Sequence, residues 1–290
     1  MSSMYIHGVS ALIADPTADT GQLREEVGRY TPEDLRRMDR FILLAMLGAH
    51  RCLGACRPEV DTAIYLTTEH GNLAQIGDAL DEVLVNHTLP KPFGFVNTMS
   101  GTAAFYIARS MGVRSRNITV SSQRVSFERG LELLDVDFSQ ASTGRALIGG
   151  VDAAVVVGGQ PGLAEPCGWR LVDGSAWCYV KAEPEGACGS FRDNKSFRDQ
   201  EAMMRWLAGA DGPPADVVAF GAGICGDEAD VLRAALRPAT VFDYLGRHGY
   251  CGSATACGVC LFLQEFPGRT LLHLNRDPHG HFAALVVESS

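Results

Sequence analysis

The sequence predicts an α/β protein, on three observations. Strand-like apolar runs alternate with helix patterns along the whole chain. The chain falls into two successive halves, each ending in a strand–helix–strand pattern, a weak internal duplication. Its 290 residues are 46% hydrophobic and 20% charged, enough for one large domain or two intimately packed halves with a substantial core.

The elements follow in order. Residues 4–14 form a β-like run. Thr31-Pro32-Glu33-Asp34 has the chemistry of a helix start: a hydroxyl to accept from free amides, a proline at the first turn and an acid at the positive end of the dipole. That helix runs on through Leu35, Met38, Ile42 and Met46, an apolar stripe at helical spacing. Residues 62–68 are a buried strand, and 72–85 a helix that the Leu89-Pro-Lys-Pro92 stretch terminates. Phe93 to Asn97 lead into a helix of small residues from Ser100, which Gly112 stops. Residues 118–121 are a strand, 127–134 a helix, and 145–157 contain a further buried strand. A looser region, 158–195, holds strand-like runs at 169–173 and 176–181. Then come a helix at 200–207, a strand at 216–220, a helix at 227–236, a small-residue helix at 251–264, and a final hairpin of 270–275 with 281–288.

Charge and composition narrow the function classes. A net charge of −9 offers no basic footprint for nucleic acid, and Arg109, Arg114 and Arg116 read as a solvated turn. No apolar run approaches the roughly 18 residues of a membrane span. The N-terminal residues lack an export pattern, so the expectation is a cytoplasmic protein whose nine cysteines are not disulfide-bonded. Cys257-Gly-Val-Cys260, with Cys251 just before it, has zinc-like spacing but no second knuckle, so the thiols are expected to fill a tight helix and no metal is expected. No cofactor is expected either. Gly221-Ala-Gly-Ile-Cys-Gly226 follows a strand and opens a helix, the setting of a dinucleotide loop, but Asp227 and Glu228 occupy the place of the pyrophosphate. His248 near Cys251, with Asp243, offers a nucleophile–base combination, read here as a Gly-rich loop entering a packed helix. His279-Gly-His281 reads as a hairpin turn.

Several segments, taken in order, resemble the thiolase-fold β-ketoacyl synthases over nearly the whole length. Arg37-Met-Asp-Arg40-Phe41 looks like their early helix. Thr67-Thr-Glu-His-Gly-Asn72 is similar to their Ser-Thr-x-x-Gly segment. Phe93-Gly-Phe-Val-Asn97-Thr-Met-Ser-Gly-Thr-Ala-Ala resembles the helix at their dimer contact, and Ala146-Leu-Ile-Gly-Gly-Val-Asp-Ala153 their Leu-x-Gly-Gly-x-Glu-Ala strand. The resemblance implies a thiolase-like fold of two pseudo-repeated αβα halves, 1–165 and 166–290, forming one compact unit with a shortened second half.

The resemblance fails where the chemistry should be. Condensation needs a thiolate to carry the acyl chain and imidazoles to stabilise the charge formed on decarboxylation. The cysteine position falls on Gln123 or Arg124. The two histidine positions fall on Phe220 and on Gly249 or Tyr250, with His248 one step out. A scaffold degenerate in this way resembles a chain-length factor, and its Phe93-Gly-Phe-Val-Asn-Thr98 entry and Ser126-Phe-Glu128 helix look most like those of aryl-polyene type: a non-catalytic subunit that pairs with an active ketosynthase and shapes its acyl tunnel in polyketide, polyene or fatty-acid-type elongation. Acyl carrier protein would then dock mainly on the partner, since this chain is itself acidic. Asn97, Met99, Thr102, Phe105 and Tyr106 are the candidate tunnel and interface residues. The alternative is a stand-alone acyltransferase or decarboxylase built on Gln123, His248 or a cysteine such as Cys225 or Cys251.

Overall fold

The computed structural model describes residues 3–157, 160–161, 166–209, 212–237 and 240–290. The first half runs β1 (Met4–Ala14), α1 (Thr20–Gly28), α2 (Arg40–Leu53), β2 (Ala63–Thr68), α3 (Leu73–Leu84), α4 (Pro92–Asn97), α5 (Gly101–Met111), β3 (Asn117–Ser121), α6 (Ser126–Ser139) and β4 (Arg145–Asp152). The short β5 (Val156–Val157) and β6 (Gln160–Pro161) pair with each other, and β7 (Asp173–Lys181) follows. The second half is β8 (Gly189–Phe197), α7 (Gln200–Ala208), β9 (Val217–Phe220), α8 (Asp227–Leu236), β10 (Thr240–Val241), α9 (Tyr244–His248), α10 (Ala254–Glu265), β11 (Thr270–Arg276) and β12 (Phe282–Ser289).

Strand pairing makes the duplication explicit. The sheet order is β10-β9-β11-β12-β8-β1-β7-β4-β2-β3. From the β3 edge inward the pairings are parallel, parallel, antiparallel, antiparallel. From the β10 edge inward they run in the same sequence. Thus β1, β2, β3, β4 and β7 correspond to β8, β9, β10, β11 and β12, and α6 corresponds to α10. The two units join where Met4–Ile6 pairs antiparallel with Phe191–Gly189. The second unit is shorter in part because, among the described residues, α8 alone stands between β9 and β10, where the first unit carries α3 to α5 between β2 and β3. The expected boundary at 165/166 adjoins residue 165, which lies outside the described residues; by strand pairing, β7 belongs with the first unit.

Helices α6 and α10 lie between the halves, and α10 is buried from Ala254 to Leu263. It approaches β4 so closely that a Cβ on Gly150 would collide with Ala256 and Ser253. This contact is why the sequence there is Ser, Ala, Thr and Gly. Cys251, Cys257 and Cys260 fill the same layer, with Cys260 Sγ 3.6 Å from Cys178 and Cys251 Sγ 3.7 Å from Cys257. The outer face of the first unit is covered by the buried α2 and that of the second by α7 and α8.

Three local expectations are corrected. The helix expected from Thr31 begins at Arg40, because Asp39 caps it, accepting from Ile42 N at 3.1 Å while Asn72 Nδ2 donates to its other oxygen at 2.7 Å. Thr31 holds only a turn, and Asp34 opens a short 3-10 segment. The loose region contains β8, whose polar second half, Arg192 to Ser196, hides a strand that gains its place by pairing with β12. Finally, Cys167 and Cys225 are disulfide-bonded, against the expectation of free thiols throughout.

Candidate functional site

The turn from β3 into α6 forms an elbow with Gln123 at its tip. Gln123 is exposed and has φ of 52°, a left-handed conformation that costs a non-glycine residue on the order of 1 kcal/mol. Ser126 at the start of α6 fixes the turn: its Oγ accepts from Ser122 N at 2.8 Å and lies within reach of the Thr68 and Gln123 carbonyls. The elbow therefore projects an amide side chain at the position where the resemblance calls for a nucleophile.

Beside it, Tyr250 donates its phenol to Glu69 Oε2 at 2.7 Å. Burial raises the Glu69 carboxyl above its ordinary range, opposed by the Tyr250 hydrogen bond and by the positive charges of His70 and Arg124. Burial and the Glu69 charge push the Tyr250 phenol up as well. Arg124 thus lies within electrostatic reach of both. Behind this trio, Asp152 at the end of β4 is fully buried. It accepts from Thr68 Oγ1 at 2.8 Å, Glu69 N at 3.0 Å and His70 N at 3.1 Å, and it also bonds Ser253. One carboxyl thereby gathers the ends of β2 and β4 and the start of α10. The hollow between His70, Asp152, Leu171 and Tyr250 has a volume of about 30 Å³, room for about one water.

A second polar cluster supports the elbow from below. Asn275 on β11 donates to the Arg124 carbonyl at 2.8 Å and accepts from Gly223 N at 3.1 Å. Its amide also reaches Thr255 Oγ1 at 3.0 Å and Glu128 Oε1 at 3.2 Å. Glu128, in the first turn of α6, is fully buried, and burial pushes its carboxyl up to about 7 despite hydrogen bonds from its own amide, Asn275 and Thr255. Its Oε2 has no hydrogen-bond partner among the described residues.

The degenerate positions converge through these links. Arg124 and Tyr250 meet around Glu69. The loop following Phe220 is tied to Arg124 through Asn275. Gly249 has φ of 99° and lies against Arg170 O and Val172, where a side chain has no room. The glycines at 221 and 223 press on Asn275 and the Arg276 backbone, so close approach to β11 accounts for the dinucleotide-like spacing. Phe220 lines a cleft of about 280 Å³ with Trp169, Ile224, Phe242 and Leu245, and Cys167 and Cys225 form part of its wall.

The residues of a rearranged catalytic site are not assembled. His248 faces Glu265, 3.8 Å away at the last turn of α10. Cys225 is spent in its disulfide. The Cys251 thiol is raised well above its usual range by the Cys257 contact and by burial, which leaves it a poor nucleophile.

The candidate interface residues divide. Asn97 is buried, donating to Arg37 O at 2.9 Å while its carbonyl accepts from Asn72 at 2.7 Å. Thr102 donates to Val96 O at 2.8 Å. Both serve the local fold of α4 and α5. Met99 and Phe105 are 54% and 53% exposed, and Tyr106 is half-buried with its ring edge-to-face with Phe105. They belong to a larger apolar surface. Most of the large hydrophobic side chains left exposed among the described residues lie between 80 and 105, including Leu84, Val85, Leu89, Phe93 and Phe95. Helix α3 is amphipathic yet buries no residue. In the same unit, β3 pairs only with β2 among the described strands, leaving its other edge open.

Sequence reasoning missed Glu69, Glu128, Asp152 and Asn275. A signal existed for two of them: an acid ending the apolar run of β4, and an amide ending that of β11.

No protein-family model matches the chain, and no curated protein does. Solved structures do. The ishigamide ketosynthase/chain length factor superposes with a TM-score of 0.75 at 17% identity, covering 99% of each chain. A type II polyketide synthase ketosynthase in complex with its acyl-carrier protein, AntDE:AntF, gives 0.73 at 13% identity, covering 100% of this chain and 99% of that one. The PfaC ketosynthase–chain length factor gives 0.70 at 13% identity, with all of this chain matched to 43% of that one. With its two repeated five-stranded units and buried α10, the chain has the same thiolase-like fold as these ketosynthase and chain length factor structures.

Proposed function

We propose that the chain is a non-catalytic ketosynthase-like subunit, a chain-length factor that pairs with an active β-ketoacyl synthase and shapes its acyl tunnel. The observation that carries this reading is the elbow: Gln123 stands at its tip, and Arg124, Glu69 and Tyr250 occupy the space beside it. An amide cannot carry an acyl group as a thioester, and a tyrosine held by a carboxylate does not supply the imidazoles that condensation uses.

The apolar surface from α3 to α5 and the open β3 edge support pairing, since a face of this kind marks an interaction site and an unpaired edge offers a row of free backbone groups. Neighbours of the same fold are described as ketosynthase/chain length factors, and one is bound to an acyl-carrier protein. By that analogy the product belongs to polyketide, polyene or fatty-acid-type chain elongation, and the carrier protein docks mainly on the active partner.

Co-expression with an active ketosynthase tests the reading. The expected result is a stable 1:1 complex that elongates acyl chains, together with an isolated chain that no acyl donor loads. Covalent acylation and extension by the purified chain alone, abolished by iodoacetamide or by His248→Ala, would overturn it.

A further inference from the structure

We propose that Cys167 and Cys225 form a reversible thiol–disulfide latch that closes a ring of segments around the Gln123 elbow. The inference goes beyond the proposed function and does not depend on it.

The placement of the pair carries it. Cys167 is exposed and starts the segment 167–172, whose other end is zipped to the second degenerate loop: Tyr250 N donates to Arg170 O at 2.8 Å, and Val172 N to Tyr250 O at 2.9 Å. Trp169 sits against Tyr250, ring centroids 6.5 Å apart. Cys225 lies in the loop that follows Phe220, which Asn275 ties to the elbow through Gly223 N and Arg124 O. Tyr250 returns to the elbow side through Glu69, whose carbonyl accepts from Ser121 Oγ at 3.0 Å. Every link of this ring is a hydrogen-bonded contact except the one between 167 and 225, which is covalent. The pair also forms part of the wall of the 280 Å³ cleft.

The pair differs from the thiols of the α10 layer. Cys178, Cys251, Cys257 and Cys260 are sealed in the α10 layer, beyond reach of a reductant in the folded chain. Cys167 and Cys225 have Cα atoms 6.5 Å apart, a separation a disulfide spans, on two loops at the surface. A dithiol reductant opens the bond by exchange. One thiolate attacks a sulfur of the pair and forms a mixed disulfide. The second displaces it, so that the dithiol leaves as its own disulfide and Cys167 and Cys225 each gain a proton and an electron. Loop 221–226 then keeps only its non-covalent contacts, those to Leu274, Asn275 and Arg276 among them, and the cleft is free to widen.

The experiment uses the purified full chain with and without dithiothreitol. Iodoacetamide labelling and peptide mass spectrometry read which thiols are free, and hydrogen exchange reads peptides covering 166–172 and 220–226. The expected result is that Cys167 and Cys225 become labelled only after reduction. Exchange in both peptides should then rise several-fold, while a peptide from β11 stays unchanged. A Cys167→Ser/Cys225→Ser chain should show the fast exchange with or without reductant. Labelling of both cysteines before reduction, or exchange in the two loops that reduction and the double substitution leave unaltered, would overturn the latch.

Discussion

Glu128 gives the clearest physical test of the centre. Its carboxyl is fully buried and raised from an ordinary 4.5 to about 7. The folded chain therefore holds this proton over a pH range in which the unfolded chain has released it. The stability that follows is fully present below about pH 4.5 and is lost as pH rises through about 7. At 1.36 kcal/mol per unit, the whole contribution is about 3 kcal/mol, of which about 2.5 kcal/mol is lost between pH 5 and pH 8.5. Replacing Glu128 with Gln keeps the shape and the acceptor oxygen facing Asn275 and Thr255 but removes the titration. Other buried acids, among them Asp39, Asp152 and Asp173, are raised too, so the absolute pH profile is a composite. The difference between the two chains isolates this one group. Urea unfolding of wild type and Glu128→Gln at half-unit steps from pH 5 to pH 8.5 should show the variant gaining on the wild type by about 2–3 kcal/mol as pH rises. Two profiles that stay parallel across this range would refute the assignment of a proton to Glu128.

Three further outcomes are expected. Phe105→Ala or Tyr106→Ala should lengthen the product of a ketosynthase complex, read by mass spectrometry of the released chains; since each accommodated CH₂ is worth about 0.8 kcal/mol, removing a ring makes room for several carbons, and unchanged length in both variants would exclude gating by this pair. Met99→Asp on the exposed apolar surface should weaken pairing about tenfold or more by placing a charge in a desolvated contact, while the melting temperature of the isolated chain stays the same, because Met99 is 54% exposed there. Gln123→Val should unfold at lower denaturant than Gln123→Gly, by about 1–3 kcal/mol, since a β-branched residue tolerates the φ of 52° least and glycine most; equal stabilities would mean that the elbow relaxes.

The repeating strand and helix pattern was legible because each buried strand and amphipathic helix carries its own periodicity. The small residues of 251–264 showed a tightly packed helix, and the structure gives the reason in its contact with Gly150. What stayed hidden was decided by partners distant in the chain. Strand β8 has a polar second half that no local rule assigns to a sheet, yet it pairs along its length with β12. The helix expected at Thr31 moved to Arg40 because Asn72, far along the sequence, helps hold the Asp39 cap. The disulfide was excluded on compartment grounds, whereas the fold places 167 and 225 together across 58 positions.

The centre itself was legible by subtraction only. The resemblance calls for a thiol and imidazoles at positions where the sequence has Gln123 or Arg124, Phe220 and Gly249 or Tyr250. What fills their space cannot be read in this way, because Tyr250 and Glu69 are 181 positions apart and Asn275 and Glu128 are 147 apart. These fillers also explain why the elbow keeps its form. A left-handed Gln123 persists only when its surroundings over-determine it. Ser126 holds the turn from the helix side and Asn275 holds Arg124 from the strand below. Asp152 fixes the segment bearing Glu69 from behind. Most of the polar atoms around the elbow are satisfied by one another. On the proposed reading, a cysteine placed at position 123 alone would therefore still find Tyr250, Glu69 and Arg124 filling the space beside the elbow.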